Sequence, residues 1–324
     1  MKRIISLFLC FVCSVSLLVG CGTTEENVED RVFTLNVNET SFASIVQFVI
    51  QEKNLLEKYM PEGVTVEYSS LSSGTEMRDA LITGDVSVAA PNIFVFTTAV
   101  SNGIDLTYIA REGYQGVYNL YTNDENITSI TDLNESSKIS VPALTGGPHL
   151  TFLCMAKDAG IDPSIFSQSY LILSNGDALA SLQSKVEGLN ASMISFPTNN
   201  KCSEDDGIYL LADGSETVKK WDICAVFCCS TAYAEENPDL IEAFYKAYEE
   251  AMESYYTEFD YWVELAVEKW GISEEVAREN LETFPFEICN PEMFDELMSF
   301  VADAGVFEGE VPTWDEINKF EISE

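Results

Sequence analysis

The stretch SSLSSGTEMRDALITGDVSVAAPNIFVF, from Ser69 to Phe96, decides how the chain is read. Ser72, Ser73, Gly74 and Thr75 supply small groups and capping hydroxyls for a helix start. Met77, Leu81 and Ile82 fall on one side of that helix, and Gly84 stops it. Val86, Val88 and Ala90 then alternate as a short apolar strand that ends at Pro91. The same order recurs downstream. Asn175-Gly176-Asp177 opens a helix carrying Leu179, Leu182 and Val186, Gly188 ends it, and Ala191, Met193 and Ser195 lead to Phe196 and Pro197. Two such units predict two similar α/β lobes, and a cleft between lobes is where small ligands bind. Helix, glycine and strand also follow one another in any α/β protein, so the flanking chain carries the rest of the reading.

Upstream, Arg31 to Val37 reads as a strand. Phe42 to Tyr59 reads as one helix, with Phe42, Ile45, Val49 and Leu56 at turn spacing, and Val64, Val66 and Tyr68 as a second strand. This order predicts a parallel or mostly parallel sheet. Downstream, Ile93 to Val100 is a short apolar helix, Leu106 to Ala110 a strand, Arg111 to Gly116 a polar break, and Val117 to Tyr121 the crossing into the second lobe. Ile139-Ser140-Val141 is a short buried strand. The PALTGGPH segment of Pro142 to His149 leads from it to an apolar helix over Leu150 to Ala159, whose free N–H groups suit a polar or anionic ligand group. Ile223 to Cys228 is the return crossing. From Ala234 the pattern is helix after helix, with Tyr, Phe and Trp at the spacings of helix packing. Residues 31–118 are assigned to lobe I, 119–225 to lobe II, and 226–324 to a mostly helical return to lobe I.

At the N-terminus, Lys2 and Arg3 precede an apolar run from Ile4 to Val19, too short and wrongly flanked for a spanning helix. Leu18-Val19-Gly20-Cys21 follows and resembles the lipobox of bacterial lipoproteins. The resemblance implies a signal peptide over residues 1–20, cleavage before Cys21, and lipidation of its thiol. An acidic tether over residues 21–30 would then join the membrane to the folded body. The expected location is the cell membrane, lipid-anchored and facing outside the cytoplasm. An ordinary secreted protein with a cysteine at the cleavage site is the alternative.

The chain has 54 acidic against 17 basic residues and a formal charge of −37. This disfavours nucleic acid and anionic lipid surfaces as partners. It also mildly disfavours an anionic solute, although a local cluster of N–H groups overrides a distant field. His149 is the one histidine. Cys224, Cys228 and Cys229 have thiolate-like spacing, but adjacent residues in a strand point to opposite faces. No metal, cofactor, nucleotide-binding or hydrolase motif is expected. Beyond Cys21, the pairing of Cys154, Cys202, Cys224, Cys228, Cys229 and Cys289 is left open by sequence.

Four segments carry a broader resemblance. They are Leu81 to Ala89 (LITGDVSVA), Ile130 to Leu133 with Lys138 to Val141, Ala178 to Ala191, and Tyr233 to Pro238. Their order resembles the solute-binding lipoproteins of bacterial ABC importers, of the nitrate/sulfonate/taurine (NitT/TauT) type that also includes binders of thiamine-pyrimidine precursors. The resemblance spans roughly Arg31 to Leu281. It implies a type II periplasmic-binding-protein-like fold, two α/β lobes around a ligand cleft with a helical C-terminal region. It implies ligand loops at Asn38, Thr40 and Ser41, at Ser72, Ser73 and Gly74, and at Pro91 and Asn92 on the near lobe. On the far lobe it implies Thr145, Gly146 and His149, and Phe196 beside Pro197. The expected partners are a small organic or oxyanion solute, ABC permease subunits and the membrane through the anchor, with the protein a monomer and not an enzyme. A membrane-anchored sensor or scaffold and an enzyme acting on a small heterocycle are the alternatives. The chain departs from the family pattern at Asp132 to Lys138, which is one residue longer and lacks glycine, and at Asn190, where the family often has Asp. Basic residues are scarce near the expected cleft, and Arg78 is as suited to solvent as to ligand.

Overall fold

The computed structural model describes residues 31–114, 118–144, 146–282, 291–305 and 310–319. Alternating apolar residues in VFTLN place Phe33 and Leu35 on the buried face of β1 (Val32–Asn36), which pairs in parallel with β2 (Thr65–Ser69). The single helix expected over Phe42 to Tyr59 is broken. A 3₁₀ turn at Phe42–Ser44 runs into α1 (Ile45–Glu52), and a second short helix follows at Leu55–Tyr59. Asn54 separates the two with a φ of 53°, a left-handed conformation that Asn tolerates better than most residues. α2 (Gly74–Thr83) ends at Gly84, whose φ of 79° is the usual helix stop. The strand expected over Val86 to Ala90 is reduced to single bridges, Leu35 to Val88 and Ala89 to Cys228. α3 (Ile93–Ser101) is capped by Asn92, whose Oδ1 accepts from Phe94 N–H at 2.9 Å.

β3 (Leu106–Tyr114) runs antiparallel to the late strand β9 (Cys224–Ser230). The polar break expected to begin at Arg111 does not end β3. Arg111 and Glu112 continue it and are buried, with the ladder shifting register between Tyr108 and Ala110 and again between Arg111 and Gly113. Burial of Arg111 is offset by Asp222, which meets its guanidinium at 2.5 Å just before β9, at 4% and 9% side-chain exposure. This ion pair fastens one crossing strand to the entry of the other.

The second lobe is a five-stranded sheet. In chain order it holds β4 (Tyr118–Thr122), β5 (Ile139–Val141), β6 (Tyr170–Ile172), β7 (Ala191–Ser195) and β8 (Tyr209–Ala212), and in space it runs β6-β5-β7-β4-β8. β5 is parallel to β6 and β7, while β4 is antiparallel to β7 and β8. The mostly parallel expectation therefore fails at β4, which is delivered by the crossing strand instead of by a β–α–β step. α4 (Gly147–Asp158) and α5 (Asn175–Gln183) cover this sheet.

The C-terminal helices serve two cores. Phe244 of α6 (Pro238–Thr257) and Trp262 of α7 (Phe259–Trp270) share one core with Phe33 and Leu35. Leu297 of α9 (Pro291–Asp303) packs in the other core with Leu150 and Cys224, and α8 (Glu274–Glu282) precedes it. Cys228 and Cys229 face different cores, as adjacent strand residues must.

Removing one member of the buried pair, by Arg111→Ala or Asp222→Ala, is expected to cost about 3–5 kcal/mol of stability. Urea unfolding measures this, and the double substitution Arg111→Met with Asp222→Leu should recover most of it.

Candidate ligand-binding cleft

Helix starts and strand ends from the two lobes meet at a cavity of about 500 Å³. From lobe I come the loop around Asn38 to Phe42, the start of α2 at Ser72 to Thr75, and Ala90 to Asn92. From lobe II come Pro142 to Leu144, Gly146 to Pro148, Asn175, and Ser195 to Thr198, with Tyr118 at the boundary between the lobes.

Ten residues expected at the site line this cavity: Asn38, Thr40, Ser41, Ser72, Ser73, Gly74, Pro91, Asn92, Gly146 and Phe196. Thr145 and Cys21 lie outside the described residues. His149 does not line the cavity. α4 begins at Gly147, earlier than the sequence suggested, so His149 is already inside the first turn and on its buried face. Its ring packs edge-to-face on Tyr170 at 4.5 Å. Burial lowers its pKa to about 4, so it is neutral at physiological pH. Arg78 is also absent from the lining and pairs with Asp79.

Sequence reasoning missed Tyr118, Asn175, Ser195 and Thr198 as lining residues. Asn175 opens the second helix–glycine–strand unit, so the internal repeat already pointed to it. Tyr118 carries no local signal, because only the crossing of the strands brings it here.

Three carboxamides set the polarity of the cleft. Asn38 Oδ1 accepts from the Thr40 N–H at 3.1 Å and from its hydroxyl at 2.8 Å. Asn92 Oδ1 is taken up by the cap of α3. Asn175 Oδ1 accepts from Ser195 N–H at 3.1 Å. The backbone thus consumes the carboxamide oxygens and leaves Nδ2 of Asn38 and Asn175 as donors. α2 and α4 start at Ser73 and Gly146 with no side-chain cap, so their first-turn N–H groups add to the donor set and the positive end of each dipole. None of the described lining residues is charged. Phe42, Met77, Val95, Leu144 and Phe196 supply an apolar wall. Phe196 is held edge-on by Phe42 at 5.1 Å and by Trp270 at 5.8 Å. Such a cleft suits a solute with an acceptor-rich head and an apolar body.

The model of a family described as NMT1/THI5 like matches residues 57–258. The chain belongs to that family. Its members are solute-binding proteins of ABC importers, which bind a small solute outside the cytoplasm and pass it to a permease without catalysing a reaction. No curated protein matches the sequence. Several solved structures share the fold at low identity. The periplasmic aliphatic sulphonate binding protein SsuA from Escherichia coli matches with a TM-score of 0.71 and 19% identity, over 89% of this chain and 98% of that one. The alkanesulfonate-binding protein SsuA from Xanthomonas axonopodis pv. citri, bound to MOPS, matches with a TM-score of 0.69 and 15% identity, over 87% and 96%. The periplasmic nitrate-binding protein NrtA from Synechocystis PCC 6803 matches with a TM-score of 0.58 and 17% identity, over 76% and 69%. Among the described residues there is no group of three or more His, Cys, Asp or Glu placed to hold a metal.

His149 gives a pH prediction. Its folded pKa of about 4 lies below its ordinary value of 6.5, so the unfolded chain binds the proton first. Its share of stability is complete above the ordinary value, falls as pH drops through that window, and is gone below the folded pKa. Urea midpoints for His149→Asn should accordingly fall less between pH 7 and pH 4 than those of the unaltered protein.

Proposed function

We propose that the protein is a lipid-anchored binding protein that captures an organic oxyanion of the organosulfonate type and delivers it to an ABC permease. The observation that carries this reading is the donor bias of the cleft. Carboxamide oxygens are consumed by backbone N–H groups, and two uncapped helix starts face the same cavity. A sulfonate presents three acceptor oxygens and no donor, so it uses these groups without leaving any unpaired. An aminopyrimidine would present N–H donors to a donor-rich wall. Nitrate has the right head, but it would leave the apolar wall of a 500 Å³ cavity uncovered.

The charge of −37 does not oppose this. Surface carboxylates more than about 8 Å away are screened at physiological salt, whereas the N–H groups act at contact. The division into residues 31–118 and 119–225, with the return from 226, is proposed as the pair of bodies that close on the solute. The Leu18-Val19-Gly20-Cys21 motif supports the anchor.

Titration calorimetry with 1-butanesulfonate, MOPS, nitrate and 4-aminopyrimidine tests the solute class. Binding of the sulfonates is expected, with Ser73→Trp weakening it at least tenfold at an unchanged unfolding midpoint. Tight binding of the aminopyrimidine with silence toward sulfonates would overturn the assignment. For the anchor, labelled palmitate should be incorporated by cells making the protein, and Cys21→Ser should abolish the incorporation.

A further inference from the structure

Phe196 belongs to one lobe and is seated in the core of the other. It directly follows β7 of the five-stranded sheet, and the Ser195 N–H before it is held by Asn175 of lobe II. Yet Phe196 is only 4% exposed and packs in the core that holds Phe33 and Leu35 of β1 and Trp262 of α7. A side chain buried in this way spans the cleft as well as lining it.

The seat is made by lobe I. Trp270, the last residue of α7, meets Phe42 at 4.9 Å and Phe48 at 5.7 Å between ring centroids. Its Nε1–H donates to Glu39 O at 3.1 Å, which ties the indole to the first cleft loop. The neighbouring Lys269 pairs with Glu52 at the end of α1 at 2.6 Å and lies over the Phe48 ring. All these contacts lie within lobe I, so the socket stands whether or not Phe196 is in it. Phe196 enters edge-on, 5.1 Å from Phe42 at 76° and 5.8 Å from Trp270 at 82°. Both pairs have the edge-to-face geometry that aromatic rings favour. Phe42 and Phe196 line the cavity, whereas Trp270 does not.

We propose that Phe196 and the Phe42–Trp270 socket form a latch between the lobes, with Trp270 as its positioning residue. The inference rests on the solute-binding reading and on the division into lobes given above. For the lobes to part, Phe196 must leave the socket, which breaks two aromatic contacts and bares apolar surface to water. Solute enclosed between the lobes leaves only after that step. Weakening the latch therefore speeds dissociation more than it slows association. Trp270 lies outside the cavity lining, so it acts through Phe196 and Phe42.

The test uses the full-length chain in detergent. Amide hydrogen exchange without solute reads the latch itself. Trp270→Leu, a substitution in lobe I, should speed exchange about tenfold in lobe II, across the turn and short helix of residues 196–203. Trp270→Phe keeps a ring in the socket and should leave that segment close to the unaltered protein. Titration and stopped-flow mixing with 1-butanesulfonate read the consequence. Trp270→Leu should weaken binding about tenfold, mostly through a faster off-rate. In a Phe196→Leu background the same substitution should add little, because its partner ring is already gone. Exchange that quickens only in lobe I, a Phe variant as loose as the Leu variant, or affinity losses that add in full would overturn the proposal. If Trp270→Leu does not fold, the reciprocal measurement decides. Phe196→Leu should then speed exchange across residues 38–44 of lobe I, and unchanged exchange there overturns the latch. Failure of the solute-binding reading would show separately, as no binding by the unaltered protein while exchange still couples the two lobes.

Discussion

The antiparallel pair of β3 and β9 is the constraint on which the rest of the structure depends. Both strands are buried along most of their length with alternate residues in two different cores, so a slip by one residue would exchange side chains between those cores. Every cleft element hangs from this pair. Val226 N–H of β9 donates to Pro91 O and fixes the loop before α3, while β3 leads on to Tyr118 at the start of β4. The Arg and Glu inside β3 are tolerated because each meets a partner on a different element. Arg111 is neutralised by Asp222, and burial pushes the Glu112 carboxyl above the usual range while Gln47 offsets part of that shift.

The internal repeat was legible because its signals are local. Gly84 and Gly188 adopt positive φ at φ values of 79° and 86°, and the apolar spacing of Met77 and Leu81 selects the buried face of α2. The loops that line the cavity were legible for the same reason, since small polar residues before a helix mark a helix start with free N–H groups. What was not legible depended on residues far apart in the chain. Arg111 and Glu112 read as a break because polarity in sequence usually means exposure, and their partners Asp222 and Gln47 become neighbours only once the strands cross. His149 was misplaced by the start of one helix. With α4 beginning at Gly147, the side chain turns away from the cavity and onto Tyr170. Asn54 broke a helix whose apolar pattern continued through it, which shows periodicity yielding to a single backbone conformation.

The charge distribution separates two tasks. Carboxylates outnumber basic side chains 54 to 17, yet none of the described residues of the cavity wall is charged. Charge thus sits on groups outside the described cavity lining, and the lining itself offers neutral backbone and carboxamide donors. Neutral donors keep their character across the pH range of any exterior habitat. A cleft built on histidine or on surface carboxylates would change its charge with its surroundings.

Cys154, Cys202, Cys228 and Cys229 are buried as free thiols, and burial raises the pKa of each. Thiolate is the form that attacks disulfides and reacts with oxidants, so these side chains are chemically quiet while the chain stays folded. The described fold draws no strength from cross-links. It would form equally in a medium full of reductant, and its maturation outside the cytoplasm calls for no disulfide-making enzyme at these positions. The vulnerable moment is before folding, when the six cysteines beyond Cys21 are exposed together.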